Sequence, residues 1–488
     1  MDPSPVEITA LAEQLSQAAK YVAFARDPTT RKEQTAALVL QAKQLIWQIQ
    51  DPYDALMDHI VNGYTISACL AASKLGIFEA IPSTGTASAS EVAQKCDAAE
   101  ELVVRLMRQL TCVNICDEVR VGEWAHNRLS IMHSEHVGPM SGKWLYNVSL
   151  DEMMPAMYRL NHYLDRFGNH SLLNTYTETP HSWFYDMVGK TFWEVMNSSH
   201  HRIENFIRGL GLFDALHPVV AMFPFEEKLR EGNSADRPLM VDIGGGRGLA
   251  LLEMKKGCPS LQGQLILQDR PCVLDDISAE DLPGVTRMPH DFFEDQPVQN
   301  AQVYYIRRVM HDWQDKDASR IMKAIIPVMA KDSRVLISDM AIPEPVTPRD
   351  AGAIWLDLMM MTIGGKERTG RDWNHLAELS GLKLVHVWQE PDRFGPLCVV
   401  EYMLPDAEST PPLYRAVMDD AADTEPTPSL HHAMMDGAAD EEEMSPNMVT
   451  SEGEALTVSD MESSESRDVD WEERTVVGDR EQSLEPQA

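Results

Sequence analysis

The chain has 488 residues, of which 44% are hydrophobic, and it carries a formal net charge of −34 at pH 7. This length predicts roughly two or three domains, with enough apolar side chains for ordinary cores. The acidic balance would repel a phosphate backbone and argues against nucleic-acid binding. Runs of about 18 apolar residues do not occur, and the N-terminus has no basic-then-apolar signal pattern. We therefore expect a soluble cytoplasmic protein that binds no membrane.

The spacing of the cysteines and the distribution of charge narrow the class of protein further. The seven cysteines are scattered and form no C-x-x-C pair, which argues against a disulfide framework and against a metal site. Residues 405–488 hold 23 acidic and 4 basic side chains. This segment is rich in Ser and Pro and cannot bury enough apolar surface to offset its ordering entropy. We predict that it is a disordered acidic tail.

Residues 1–130 are predicted to form a helical N-terminal domain. One or two helices are expected over residues 1–50, with an amphipathic stretch at 35–49. A long helix over 54–75 is almost wholly apolar. A helix that is apolar all round should be buried, and another subunit is one candidate to cover it.

The rest of this domain has a winged-helix pattern. Its elements are a short helix that Ser88 and Glu91 cap, a second helix over 99–110, and strands over 113–121 and 124–129. Winged helices often bind DNA, but the second helix offers Glu100 and Glu101 against only Arg105 and Arg108. A protein–protein role is therefore favoured.

Residues 131–235 are predicted to be helical and rich in aromatic side chains and Met, which suit either a core or a pocket for a flat ligand.

Residues 236–404 have the alternating pattern of a doubly wound α/β sheet. Strands are predicted at 239–243, 264–268, 285–288, 302–306 and 334–338, and helices near 249–256, 316–330, 350–361 and 370–380. Two late strands, 383–388 and 397–404, are joined by only eight residues. This connection is too short for a helical crossover, so the two strands should pair antiparallel. An antiparallel pair at the end of a parallel sheet is more typical of methyltransferases than of NAD dehydrogenases.

The first strand of this sheet ends in a glycine-rich turn. Asp242 precedes Gly244, Gly245, Gly246 and Gly248, and an apolar helix follows at once. Such a turn lets the backbone approach a ligand, and the free N–H groups of the helix then face that ligand. The acid before the turn and the G-x-G-x-G spacing favour S-adenosylmethionine (SAM) over NAD.

Polar and aromatic side chains follow the next strands, at the edge where doubly wound sheets bind ligands. Asp269 ends the second strand, where a carboxylate can accept hydrogen bonds from both ribose hydroxyls. Asp291 and Phe292 follow the third strand and suit the amine and the face of an adenine ring. His311 follows the fourth strand. An unperturbed imidazole pKa of about 6.5 makes it a usable base at neutral pH.

Two further acids are predicted near His311. Asp339 follows the fifth strand at the same edge, and Glu367 lies in the turn after a Met-rich helix. A carboxylate bonded to one ring nitrogen would fix the imidazole tautomer and stabilise the imidazolium.

Three motifs, in this order, carry a family resemblance. They are Val241-Asp242-Ile243-Gly244-Gly245-Gly246-Arg247-Gly248, Met310-His311-Asp312-Trp313 and Gly364-Gly365-Lys366-Glu367-Arg368-Thr369. Over residues 50–404 the chain resembles the cation-independent SAM-dependent O-methyltransferases of the plant caffeate and fungal secondary-metabolite type. The resemblance implies a Rossmann-like methyltransferase sheet, an N-terminal winged-helix dimerisation domain and a homodimer.

The resemblance also implies roles for individual residues. It makes His311 the general base, with Asp339 and Glu367 flanking it. It assigns SAM binding to the glycine turn and to Asp269, Asp291, Phe292 and Arg307. Plant relatives usually carry Glu at position 339, which is one methylene longer, and Lys at position 307, where Arg should still bind the methionine carboxylate.

The substrate implied is a flat phenolic or polyketide-like molecule. We expect seven apolar side chains to line its pocket: Trp183, Phe184, Phe192, Met196, Trp355, Met359 and Met360. Two other functions stay open at this point. One is a SAM-binding enzyme of the pericyclase or dehydratase type on the same fold, and the other is a non-enzymatic regulator built on the winged helix.

Overall fold

A computed structural model describes residues 5–170, 175–216, 222–275, 277–278, 280–390 and 395–405. The predicted acidic tail, apart from its first residue, lies outside this part of the chain. The first helices are α1 (Pro5–Phe24), α2 (Pro28–Ile49), α3 (Pro52–Leu75) and α4 (Ile77–Ala80). Asp27 and Asp51 each cap a helix whose first residue is Pro, and Gly76 ends α3 in the left-handed region.

The long helix is only partly buried within a single chain, so its predicted burial depends on another subunit. Only Ala68, Cys69, Ala72 and Ser73 of α3 are buried. Its first half exposes large apolar side chains: Tyr53, Leu56, Met57, Ile60 and Tyr64. The amphipathic stretch of α2 likewise has no buried residue. Apolar periodicity identified these helices correctly, but it does not reveal which partner covers them.

The winged-helix prediction is confirmed, with shorter strands and one more of them. The elements are β1 (Ala87–Ser88), α5 (Ala89–Lys95), α6 (Glu100–Cys112), β2 (Asp117–Arg120) and β3 (Glu123–Ala125). The sheet order is β1-β3-β2, and both pairings are antiparallel. Ser88 and Glu91 form the predicted capping box. Trp124 is fully buried beside α6, and its burial anchors the wing to the helices.

The helical segment that follows confirms the sequence pattern. Its elements are α7 (Lys143–Tyr146), a π-helix (Asn147–Met153), α8 (Met154–Tyr158), α9 (Leu160–Phe167), α10 (Pro180–Phe184), α11 (Phe192–Asn197), α12 (His200–Leu216) and α13 (Phe225–Leu229). Thr179 and Thr191 cap α10 and α11 through capping boxes. These caps fix where the two short aromatic helices begin.

The C-terminal part is a mixed sheet flanked by helices. Its elements are β4 (Pro238–Ile243), α14 (Leu249–Gly257), β5 (Gln264–Asp269), α15 (Pro271–Leu274), β6 (Val285–Pro289), β7 (Val303–Arg307), α16 (Asp315–Ile325), β8 (Arg334–Ile342), α17 (Ala351–Ile363), β9 (Arg368–Thr369), α18 (Gly370–Ser380), β10 (Lys383–Gln389) and β11 (Leu397–Met403). The strand order is β10-β11-β8-β7-β4-β5-β6, and β9 pairs with β8. Strand β11 is antiparallel to both β10 and β8, as predicted for the end of the sheet.

The register brings the candidate site together at one edge of the sheet. Ile243 lies opposite both Gln268 and Ile306, so β4, β5 and β7 end level with one another. Strand β8 is longer than predicted, so Asp339 lies within it and pairs with Cys398 instead of following the strand. Within the described residues, no helix is long and apolar enough to cross a membrane.

Candidate active site

The glycine turn after β4 is shaped by close neighbours. Gly244 has a φ of +66°, a conformation that side chains rarely adopt. A Cβ at this position would lie 2.9 Å from Cγ2 of Val309 and 3.6 Å from the ring of Phe292. Because both the backbone and the space exclude a side chain, glycine is required here. The turn thereby brings its backbone against the aromatic ring of Phe292.

Asp269 is held against this turn by backbone donors. The N–H of Gly246 donates to its Oδ2 at 2.9 Å, and the N–H of Arg270 donates to its Oδ1 at 2.8 Å. Each carboxylate oxygen keeps a further acceptor position. Open space surrounds the site of a Cβ at Gly246. A carboxylate with free acceptor capacity, open space and the nearby ring of Phe292 fit the ribose and adenine of SAM.

The other predicted cofactor residues lie at the same edge with different exposure. Asp242 is buried in β4, and Arg307 is the half-buried last residue of β7. Asp291 is exposed, and its Oδ1 accepts the N–H of Phe293 at 3.0 Å. This local hydrogen bond fixes the Asp291 carboxylate directly before the two phenylalanines.

His311 lies in a 3₁₀ turn, Met310–Asp312, directly after β7. Its Nδ1 donates to Oε1 of Glu367 at 2.8 Å and is 4.0 Å from Oδ1 of Asp339. Its Nε2 is 3.6 Å from Oδ1 of Asp312. The structure therefore places both predicted acids on one side of the imidazole, and it adds a third acid, Asp312, that the sequence analysis did not single out.

The three acids set the charge state of the histidine. Burial lowers the pKa of His311, but the charges of Glu367 and Asp339 outweigh burial and raise it to about 10. Burial raises the pKa of Asp339 to about 7 and that of Asp312 to about 6. Both carboxylate oxygens of Asp339 are buried without a hydrogen-bond partner among the described residues. The cluster is thus an anionic, water-poor site that stabilises positive charge.

A buried arginine, Arg368, holds the turn that carries the histidine. Its guanidinium donates to the carbonyl oxygens of Met310 at 2.6 Å and Trp313 at 2.8 Å, and to Asp315 at 3.0 Å. Met310 and Trp313 lie on either side of His311 in the sequence, so these bonds hold the backbone before and after it. Arg368 belongs to the third motif, but a charged residue in a turn usually indicates a surface position, so its role was missed.

The turn 364–367 packs directly on the histidine backbone. A Cβ at Gly365 would overlap with the carbonyl oxygen of His311, and the N–H of Lys366 donates to that same oxygen at 2.9 Å. The N–H of Glu367 donates to Oδ1 of Asp357 at 2.9 Å. These contacts fix His311 and Glu367 relative to each other.

Four of the seven predicted pocket residues meet in one apolar cluster. They are Phe192, Met196, Met359 and Met360, packed with Met153, Leu356 and Ile363. Met340, the residue after Asp339, packs against this cluster. Helix α17, which supplies Met359 and Met360, also carries Asp357, the acceptor of the Glu367 N–H. The other three lie outside the cluster: Trp183 packs on Tyr163, Phe184 on Tyr185, and Trp355 is exposed.

Comparisons with known proteins agree with this geometry. The O-methyltransferase domain family matches residues 171–383, and the O-methyltransferase dimerisation domain matches residues 58–133. O-methyltransferase desB of Aspergillus desertorum is 32% identical over 362 residues, which cover 72% of this chain and 84% of that protein. Demethylsterigmatocystin 6-O-methyltransferase of Aspergillus flavus is 30% identical over 342 residues, which cover 68% and 84%.

Solved structures show the same fold. OxaC in complex with sinefungin and meleagrin has a TM-score of 0.73 at 24% identity, covering 82% of this chain and 100% of that one. LepI in complex with SAM has a TM-score of 0.69 at 26% identity, covering 82% and 99%. A structure described as a pericyclic reaction enzyme has a TM-score of 0.69 at 25% identity, covering 82% and 99%.

The chain therefore belongs to the O-methyltransferase family. It is a SAM-dependent methyltransferase with an N-terminal dimerisation domain and a C-terminal Rossmann-like sheet.

Proposed function

We propose that this enzyme methylates a hydroxyl group of a phenolic or polyketide-type secondary metabolite, with His311 as the general base. One observation carries the assignment. The Nδ1 of His311 is bonded to Glu367 at 2.8 Å within a buried cluster of acids. This bond leaves Nε2 as the nitrogen that can accept a proton from the substrate.

A base is needed because a phenol with a pKa of about 10 is poorly ionised at pH 7. SAM supplies a methyl group activated by its sulfonium charge. A positioned histidine typically contributes about 10²–10⁴-fold to such a reaction. Alignment of the hydroxyl oxygen with the methyl group can contribute roughly 7–11 kcal/mol more.

The charge cluster has a second role in this proposal. The acids beside His311 favour its protonated form in the resting protein. The positive charge of SAM acts in the opposite direction, because a cation near the cluster disfavours the imidazolium. Bound SAM would therefore lower the pKa of His311 and increase the fraction of the neutral base. After proton transfer, Glu367 stabilises the imidazolium that forms.

The cofactor roles predicted from the sequence are retained in the proposal. Asp242 and the glycine turn, including Gly244, Gly245 and Gly246, would hold the methionine part, with Arg307 on its carboxylate. Asp269 would accept both ribose hydroxyls. Asp291 and Phe292 would bind the adenine, since the ring of Phe292 lies against the turn.

We also propose a homodimer and a pocket for a flat apolar acceptor. The exposed apolar half of α3 begins just before the part that matches the dimerisation domain, residues 58–133, and Ile60 and Tyr64 lie within that part. The cluster around Phe192, Met196 and Met360 supplies the apolar pocket wall. One of the relatives is named demethylsterigmatocystin 6-O-methyltransferase, a name that states methyl transfer to an oxygen of a single metabolite. The proposed domain boundaries remain 1–130, 131–235, 236–404 and 405–488.

The test is His311→Ala, assayed with methyl-labelled SAM and a panel of phenolic acceptors. We expect SAM affinity to be retained and kcat to fall by about 10²–10⁴-fold, because only the proton acceptor is removed. The matched control is His375→Ala, which removes an exposed imidazole from α18. A kcat close to that of the wild type would refute the assignment of the base.

A pericyclic or dehydration reaction on the same fold is the second candidate, favoured by the likeness to the pericyclic reaction enzyme. Methylation accounts better for a histidine bonded to Glu367. The two reactions differ in their products. A product that carries no label, formed without S-adenosylhomocysteine, would support the second candidate.

A further inference from the structure

A group of polar side chains in the helical segment is not used by the proposed reaction. His181 of α10 is fully buried, and its Nε2 donates to Oε1 of Glu152 at 3.0 Å. Nε of Arg202 is 3.6 Å from the other carboxylate oxygen of Glu152. Tyr185 donates its hydroxyl to the Glu152 carbonyl at 3.0 Å. Glu152 itself lies in the π-helix, a conformation often found at functional sites.

This polar group borders the proposed acceptor pocket. The His181 ring is 5.2 Å from that of Phe192, which belongs to the apolar cluster. Thr179, two residues before His181, lies 3.3 Å from the position of a Cβ at Gly364. The next residue, Gly365, packs on the carbonyl of the base. Helix α10 therefore lies between the turn 364–367 and the apolar cluster.

The remaining nitrogen of His181 has an unmet hydrogen bond. Nδ1 is buried and has no hydrogen-bond partner among the residues that the structure describes. Because a carboxylate can only accept, the proton of the neutral imidazole is on Nε2, and Nδ1 is an acceptor. A buried acceptor without a donor is costly and is explained when a ligand supplies the donor.

We infer that Nδ1 of His181 accepts a hydrogen bond from a second hydroxyl group of the methyl acceptor. The atoms that this group offers, Nδ1 and the Glu152 carboxylate, are acceptors. Its cation, Arg202, faces Glu152 and lies on the Tyr185 ring with its guanidinium carbon 3.6 Å from the ring centroid. The substrate class is therefore a polyhydroxylated aromatic. This inference rests on the proposed function, since it names the class of acceptor for the same site.

Matched aromatic pairs test the inference by binding. The probes are 1-naphthol and 2-naphthol, each with one hydroxyl, and their dihydroxynaphthalene isomers. Affinities are measured by tryptophan fluorescence with S-adenosylhomocysteine present. We expect at least one dihydroxy isomer to bind the wild type about 5- to 10-fold more tightly than its parent naphthol. His181→Phe should abolish this preference and leave the parent naphthol affinity within about 2-fold, since the ring volume is kept.

Control variants separate recognition from packing. His133 is also buried, and its Nδ1 has no hydrogen-bond partner among the described residues, but it lies against Phe78 and Tyr146, outside the apolar cluster. His133→Phe should leave the preference unchanged. Glu152→Leu removes the group that fixes the tautomer and should reduce the preference even if His181→Phe does not fold.

Three results would overturn the inference: a wild type without any preference, a panel that does not bind, or equal weakening of both members of a pair in His181→Phe. Binding is measured without methyl transfer. A preserved preference in a protein that transfers no methyl group would therefore refute the proposed function and leave the hydroxyl contact standing.

Discussion

The bond between Glu367 and His311 gives a sharp quantitative test, through Glu367→Gln. The substitution keeps the size of the side chain and removes its charge. Glu367 is buried, its Oε1 accepts from Nδ1 at 2.8 Å, and its backbone N–H is held by Asp357. Because the backbone is anchored, the variant should fold with the glutamine amide in the same place.

Two effects follow from the loss of charge. A charge pair about 4 Å apart at an effective dielectric constant of 20 is worth about 4 kcal/mol, which corresponds to a fall of roughly three in the pKa of His311. The pKa of His311 falls because the negative charge that is removed stabilised the imidazolium. The same loss weakens the stabilisation of the imidazolium formed during catalysis, so kcat should fall by about 10²-fold.

The assay is the pH dependence of kcat, with methyl-labelled SAM at saturation. The acid limb of the profile should move to lower pH by about two to three pH units, and the plateau value of kcat should fall. Glu344→Gln is the matched control, because this exposed acid pairs with Arg371 on the surface. A plateau within about 2-fold of the wild type, with the acid limb unmoved, would refute the argument that Glu367 governs the base.

Two further outcomes are expected. Asp269→Ala should weaken SAM binding by about 10- to 100-fold in calorimetry, since the carboxylate facing the glycine turn is lost; unchanged affinity would remove Asp269 from the cofactor site. His311 should also make the ligand-free protein sensitive to alkaline pH. Its folded pKa of about 10 lies above the ordinary 6.5, so its stabilisation is complete below pH 6.5 and is lost as the pH rises towards 10. Thermal unfolding from pH 7 to 10 should therefore show a smaller decline in Tm for His311→Gln than for the wild type, and parallel declines would contradict it.

Local patterns were enough to predict the sheet and most of the residues at its edge. Asp269 and His311 each follow a strand that the sequence pattern predicts. Both residues could therefore be placed from the sequence. The role of Arg368 depends on contacts between distant segments. Arg368 reaches the turn at Met310 across 58 positions of the chain. Such a pairing leaves no periodic signal.

Burial was the other property that the pattern did not determine. The apolar face of α3 was recognised, but whether a single chain covers it depends on tertiary packing. The same limit applies to the pocket. Trp183 and Trp355 share the aromatic character of Phe192, yet only Phe192 points into the apolar cluster. The length of β8 was underestimated because Asp339 interrupts its apolar run, although the residue is buried by pairing with β11.

The hydrogen bonds that Glu367 and Arg368 make around His311 show that proton transfer and acceptor recognition are assigned to different parts of the chain in the proposed mechanism. His311, Glu367 and Arg368 all come after residue 300, and hydrogen bonds join Glu367 to His311 and Arg368 to the turn that carries His311. Part of the proposed acceptor wall comes from α11 and the π-helix, which precede the first strand of the C-terminal sheet, and α17 supplies another part. Only the part of the wall that precedes the sheet can be exchanged without changing the segment that carries His311. A helical segment grafted from another family member could redirect the enzyme to a new acceptor while the proton-handling machinery stays intact.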